Sequence, residues 1–330
     1  MDRVIEAFAL AALLTTLPVG LARAADTAPD SRALVEANKL FDRGNRFVED
    51  GSLPRAKQEF EKALKMYPKH LDALYNLGVV DERLGQKGAA IDVYKRYLEI
   101  KQADADVWTQ LGVLYDESGN QNEARHAYER ALEINPKFGR AQHNLGVLLK
   151  EEGDLKGAEQ HLTQFVKLEE DAGRQDGDAY YSLGILYLQE LRDLDAKMQM
   201  QKAIDIDPSV PRFNNAMGDI YLVEKRPDLS IVYYQKAIEK DPKYALAYSG
   251  LGDAYAQLKQ PDKAQSAYRK ALELRPDYAL VYYKLGLLYE DSNAAEAIKQ
   301  FEKYMQSGKT QEYRDEVAAK IEALKLTLKP

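Results

Sequence analysis

The sequence predicts an all-α protein, a solenoid of about eight helix hairpins closed by a C-terminal helix. Three observations predict it. A glycine recurs at 44, 78, 112, 146, 184, 218, 252 and 286, at intervals of 34 residues apart from a single interval of 38, and a period of this size marks stacked supersecondary units. Leu77, Leu111, Leu145, Leu183, Leu251 and Leu285 stand one residue before that glycine, with Tyr115, Tyr187, Tyr221, Tyr255 and Tyr289 three after it. This spacing puts both sets on one helical stripe. Pro68, Pro136, Pro208, Pro242 and Pro276 fall where a second helix should stop, because proline pushes the residue before it out of the helical region.

Taken in order, residues 1–24 read as a secretory signal. An apolar stretch from Phe8 to Ala22, interrupted by Pro18 and Gly20, precedes the small-x-small site Ala22-Arg23-Ala24, and it is short for a membrane span of about 20 apolar residues. Asp2 and Glu6 are untypical of such a segment, which leaves an uncleaved inner-membrane anchor as the alternative. Residues 25–36 look like a polar leader. Eight repeats then start near 37, 71, 105, 139, 177, 211, 245 and 279, and a capping helix is expected over 310–328. The extra four residues fall in EEDAGRQDGD, 169–178; this insertion either loosens the stack into two blocks of four repeats or forms a longer surface loop. Repeat eight is one residue short in its inner turn if Ala297 takes the small position and Phe301 the aromatic one. Tyr313, Val317, Ile321, Leu324 and Leu328 form an apolar stripe at helical spacing, which suits the polar-backed cap that a solenoid end requires.

Glycine inside a helix costs about 1 kcal/mol against alanine, so eight of them need a packing reason. Ala56, Ala90, Ala124, Ala158, Ala196 and Ala264, twelve residues beyond their glycine, are expected to let the two helices of each hairpin close together. Tyr94, Tyr128, Tyr234 and Tyr268 fill a matching large position on the second helix. Gly51, Gly85, Gly119 and Gly153 occupy the turn inside the first four hairpins, as left-handed helix ends require. The fullest copy surrounds WTQLGVLY, 108–115: Trp108, Leu111, Gly112, Tyr115, Ala124, Tyr128, Ala131 and Pro136. With that spelling, residues 37 to about 306 resemble the tetratricopeptide repeat family. The resemblance implies a right-handed superhelix, and it makes Trp108, the only tryptophan, a packing residue between neighbouring hairpins.

Composition narrows the function. With 46 Lys+Arg against 53 Asp+Glu, a net charge of −7 and no basic block, the chain lacks the footprint of a nucleic-acid binder. It has no cysteine, which removes disulfides, thiolate metal sites and cysteine nucleophiles. His70, His126, His143 and His161 never pair at metal-ligand spacing, and the glycines lie in helices or hairpin turns, so no phosphate loop is present. We therefore expect no catalytic residues, no metal, no cofactor and no small-molecule substrate, and a chain that is not an enzyme.

What remains is surface. The family resemblance implies a concave groove lined by the first helix of each hairpin, at positions three before, two before and one after the glycine. The candidate groove residues are Phe41, Asn45, Tyr75, Asn76, Val79, Thr109, Gln110, Val113, His143, Asn144, Val147, Tyr181 and Ile185. The row after the glycine is apolar from repeat two to five and becomes Asp219 and Asp253 in repeats six and seven. A carboxylate clamp is not expected: Asn45 and Asn76 match its asparagines, but Phe41, Asp106 and Gln110 stand where its cations belong. Asn76, Gln110 and Asn144 form a short amide run that could grip an extended backbone. The resulting expectation is an exported, periplasmic scaffold that binds a protein partner and assists an envelope assembly such as a pilus, secretion, motility or cell-wall machine. A self-associating structural protein, forming a homo-oligomer, is the alternative.

Overall fold

The computed structural model describes residues 29–307 and 312–328. The signal segment, leader residues 25–28 and residues 308–311 ahead of the cap lie outside the described residues. The chain divides into two compact units at Ile100/Lys101, and all regular structure among the described residues is helical.

The first unit holds two hairpins, α1 (Pro29–Glu49) with α2 (Leu53–Met66) and α3 (Leu71–Arg83) with α4 (Lys87–Ile100). Helix α1 begins at Pro29, so residues 29–36 of the expected leader form its first two turns. The second unit holds six hairpins: α5 (Ala105–Glu117) with α6 (Gln121–Ile134), α7 (Gly139–Glu152) with α8 (Leu155–Asp171), α9 (Gly177–Gln189) with α10 (Asp193–Ile206), α11 (Pro211–Val223) with α12 (Pro227–Lys240), α13 (Ala245–Gln257) with α14 (Pro261–Leu274), and α15 (Ala279–Tyr289) with α16 (Ala294–Gln306). Helix α17 (Arg314–Thr327) follows as the cap.

The repeat glycines have a packing reason in a large side chain of the second helix, while the small residues twelve places on, such as Ala56, Ala90 and Ala124, are fully buried in the same hairpins. A Cβ on Gly112 would lie 2.6 Å from Cδ1 of Tyr128, and one on Gly218 would lie 2.7 Å from Cε1 of Tyr234. Phe60, Tyr94, Tyr268 and Phe301 cover Gly44, Gly78, Gly252 and Gly286 in the same way, while Leu162 and Met200 do so in repeats four and five. Each hairpin is thus closed by a large side chain seated on a helix that has no side chain there. The small residue sits beside this contact, against backbone: in repeat six it is Ser230, which donates to the Gly218 carbonyl at 2.8 Å. Repeat eight closes as the shortened turn predicts, with Ala297 and Phe301 fully buried.

The insertion does not split the second unit. One buried cluster runs through Leu145, Leu148, Phe165, Val166, Leu183 and Phe213 on both sides of it. With Glu170 in place of a proline nothing stops α8 early, so it runs for 17 residues to Asp171, and Gly173, whose φ is +67°, turns the chain after it. The extra residues become one more helical turn and a surface loop.

Cap residues Val317, Ile321 and Leu324 bury against Phe301 and Tyr304. Leu328, expected in the same stripe, is instead exposed beyond the end of α17.

The hairpin turns keep one left-handed residue in repeats one to seven. It is glycine in the first four and then Leu191, Lys225 and Lys259, with φ of 58°, 61° and 55°. A side chain there costs about 1 kcal/mol. Lys259→Gly is therefore expected to raise the urea midpoint by an amount equivalent to about 1 kcal/mol. Gly112→Ala should lower it by about 1–2 kcal/mol despite the better helix propensity, because the added methyl meets Tyr128. An unchanged midpoint for Gly112→Ala would show that the ring is not the constraint.

Candidate partner-binding face

In the first unit, Phe41 packs in a tilted arrangement against Phe60 at 5.7 Å and His70 at 5.1 Å. His70 caps α3, its Nδ1 accepting from the Ala73 amide at 3.2 Å, and its other ring nitrogen meets Asn38 at 3.0 Å. Burial lowers its pKa, with Asp72 and Asp42 opposing, which suits a neutral cap. Asn76 donates to the Asn45 side-chain carbonyl at 2.8 Å. The two clamp-like asparagines thus bond to each other. Tyr75 lies 6.3 Å from both Tyr94 and Tyr97, and Val79 is half-buried beside this aromatic group on the same helix.

In the second unit the candidate residues separate into two sets. Thr109 is fully buried, and its hydroxyl donates to the Ala105 carbonyl one turn back at 2.7 Å. Gln110 is buried and accepts from Arg140 at 3.1 Å, and the same guanidinium pairs with Asp106 at 3.1 Å. These two residues were expected to face the groove; both are buried, Gln110 beneath Arg140 of the next repeat. The amide run is used up likewise, since Asn144 engages the Tyr128 hydroxyl and the His143 ring, the latter at 3.3 Å.

The accessible set is Val113, His143, Val147, Tyr181 and Ile185, all half-buried. His143 packs on Phe165 at 4.9 Å, and its Nε2 meets the Ser182 hydroxyl at 3.0 Å. Burial lowers its pKa, against the raising pull of the Asn144 bond, so it is neutral at pH 7. Tyr181 lies 5.5 Å from Phe213, under Arg212, which pairs with Asp178. Three aliphatic side chains in register, flanked by a ring and a neutral imidazole, make an apolar strip.

Beyond the strip come the acids. Asp253 accepts from the Tyr268 hydroxyl and from Lys284, both at 2.6 Å. Asp219 accepts from the Tyr234 hydroxyl at 2.5 Å and from Asn215 at 3.0 Å. Asp219 is an exposed residue by surface area, with its carboxylate held against the ring-bearing second helix by Tyr234. Desolvation by the surrounding protein pushes its carboxyl up to about 6, against the Tyr234 bond and Lys284 and with the help of Asp253. Comparing the sequence columns finds the acids, but not that tyrosines on the second helix hold them.

Trp108 packs against Ala131 and Ala141, and its indole N–H also donates to the Gln102 carbonyl at 2.8 Å. Gln142, Tyr248 and Tyr282 make the same bond six residues back, to Pro136, Pro242 and Pro276, at 2.8, 3.3 and 3.0 Å. The variable fourth place of the repeat therefore supplies a donor that closes the turn between hairpins. Sequence reasoning assigned it packing alone.

Among the described residues no group of three or more His, Asp or Glu is placed to hold a metal ion, and no helix is long and apolar enough to cross a membrane.

Sequence models of the tetratricopeptide repeat match residues 41–105, 105–138, 127–160, 211–244 and 233–266, and one described as a TPR repeat matches 252–293. No curated protein matches the chain in sequence. Solved structures with a similar fold include the APC/C hetero-tetramer Cut9–Hcn1, at 21% identity and a TM-score of 0.62, over 88% of this chain and 55% of that one. Yeast Tom70 is similar at 16% identity and 0.60, over 94% and 67% of the two chains. Pseudomonas aeruginosa PilF is similar at 22% and 0.56, over 66% and 96%. At these identities the likeness is one of fold, and this chain spans about half the length of the first of the three.

Asp219 has a folded pKa above its unfolded value, so it opposes folding above about pH 6, and that opposition is lifted as the pH falls. Carboxyl carbon NMR should give its titration midpoint near 6. Lys284→Met should move that midpoint upward, since Lys284 favours the charged form. A midpoint near 4, the ordinary carboxylate value, would contradict this environment.

Proposed function

Because the chain belongs to the tetratricopeptide repeat family, we propose that it is a non-enzymatic scaffold that seats an extended or helical segment of a protein partner along the inner face of its first helices. The observation that carries this reading is the strip of Val113, Val147 and Ile185. These are half-exposed aliphatic side chains in one register column, beside polar groups that already have partners in the protein. A surface of this kind gains by covering apolar area, at about 25 cal/mol per Å², and leaves few polar groups whose desolvation must be offset.

In this reading the partner lays apolar side chains on the strip, and the crowded carboxylates beyond it face the partner's polar end. Residues 1–24 support export to the periplasm, where the scaffold would assist assembly of an envelope complex of the pilus, secretion, motility or cell-wall type. The inner face of the first unit, with Phe41, Tyr75 and Val79 beside the Asn45–Asn76 pair, offers a second apolar surface for the same purpose.

The test is crosslinking in cells, followed by capture of the identified partner by purified protein. Val113→Asp with Ile185→Asp should weaken capture at least tenfold, equivalent to about 1.4 kcal/mol, with the circular dichroism spectrum unchanged. Thr109→Ala, at a sealed position, should leave capture as it was. Undiminished capture by the double variant would place the docking surface elsewhere, and fractionation that left the chain in the cytoplasm would end the envelope reading.

A further inference from the structure

The inner face of the second unit holds a charge that nothing else in the protein answers. Lys150 stands on α7 seven residues after His143, two turns further along the same face, and its charge acts on the His143 ring. It is half-buried, and burial pulls its pKa below the ordinary lysine value, with only its sequence neighbour Glu151 opposing. Among the described residues Lys150 makes no hydrogen bond and no ion pair. Its column is acidic at Glu82, Asp116 and Glu290 and apolar in the remaining repeats, so repeat four is the one place where it carries a cation.

The ring that closes each hairpin explains why Lys150 has no acid. Glu82 accepts from Tyr94, and Asp219 and Asp253 accept from Tyr234 and Tyr268. In repeats four and five Leu162 and Met200 take the place of the ring, so no hydroxyl arrives there for an acid to hold. The corresponding columns carry Val147, Ile185, Leu188 and Lys150 instead. A partly desolvated ammonium without a partner costs folding free energy, and a bound anion returns it. Two repeats further on, Asp219 is the opposite case. Asp253 has Lys284 at 2.6 Å, whereas the hydrogen bonds to exposed Asp219 come from neutral donors, Tyr234 and Asn215. The side-chain oxygen of Asn215 is itself buried without a donor, so acceptors are in excess at this corner.

We propose that the partner segment seated in this groove is bipolar: an aspartate or glutamate at Lys150, apolar side chains over Val147 and Ile185, and a lysine or arginine at Asp219. This rests on the groove reading above and gives its occupant a chemistry. A wholly apolar segment would leave both charges of the groove unanswered, and a segment of one charge sign would set like against like at one end. Helix α7 packs on α9 and α9 on α11. At about 8–10 Å between packed helices, the step from Lys150 to Asp219 is about 16–20 Å. That is about five or six residues of extended chain, or about eleven to thirteen of helix.

The probe is a phage-displayed library of random peptides about 16 residues long, enough for the helical spacing, selected on the purified full chain. Enriched sequences should carry an acid and a base at one of these separations with apolar residues between them. Lys150→Met should abolish the acidic preference and keep the basic one, and Asp219→Asn, which leaves Tyr234 its acceptor, should do the reverse. For one enriched peptide made synthetically, fluorescence anisotropy should show each variant binding about three- to tenfold more weakly. Replacing the acid of that peptide by its amide should weaken binding to the natural chain but not to Lys150→Met. Enrichment through apolar residues alone, or an acidic preference that survives Lys150→Met, would overturn the proposal; if such peptides are lost with Val113→Asp and Ile185→Asp, the groove reading stands without it. No enrichment at all would overturn both.

Discussion

The contact between a bare glycine and a large side chain sixteen residues later is the constraint on which this architecture rests. In a hairpin of two 13- or 14-residue helices there is little area to bury, and isolated helices of that length are marginal in water. Laying a phenol or phenyl ring on exposed backbone brings the helix axes close and buries a large apolar surface at once. The glycine loses helix propensity so that the ring has a bed. Where the ring is replaced, by Leu162 in repeat four and Met200 in repeat five, the bed remains and is still filled.

Other links follow from that spacing. Once the hairpins are closed, one register column in successive repeats comes within ion-pair reach, as with Asp106 and Arg140 or Asp178 and Arg212. The tyrosine ring that closes a hairpin also brings its hydroxyl to the inner face, where Tyr234 and Tyr268 hold Asp219 and Asp253. One side chain thus seals the interior at its ring and fixes a groove carboxylate at its tip. Structure and candidate function are coupled through it.

Much of this was legible in the sequence because the repeat writes each position eight times. The glycine, the aromatic column, the shortened eighth turn and the cap were readable as departures from or agreements with one template. Burial within the candidate groove was harder to read, because whether a column faces solvent depends on what the next repeat lays over it. Thr109 and Gln110 occupy groove columns, yet Arg140 reaches across one and the helix backbone satisfies the other. The insertion at 169–178 was open to two readings, and only the packing of Phe165 and Leu183 into one core decides between them.

The turn-closing bond of Trp108 has a spectroscopic consequence. Its indole is the only one in the protein and is tied to the Gln102 carbonyl, so tryptophan emission, excited selectively over the tyrosines, reports the integrity of a single turn at the start of the second unit. Circular dichroism averages over every helix. In a repeat array, where each unit contacts only its neighbours and melting need not be concerted, the two optical signals are measurements of different events. A fluorescence curve from this protein is a local thermometer.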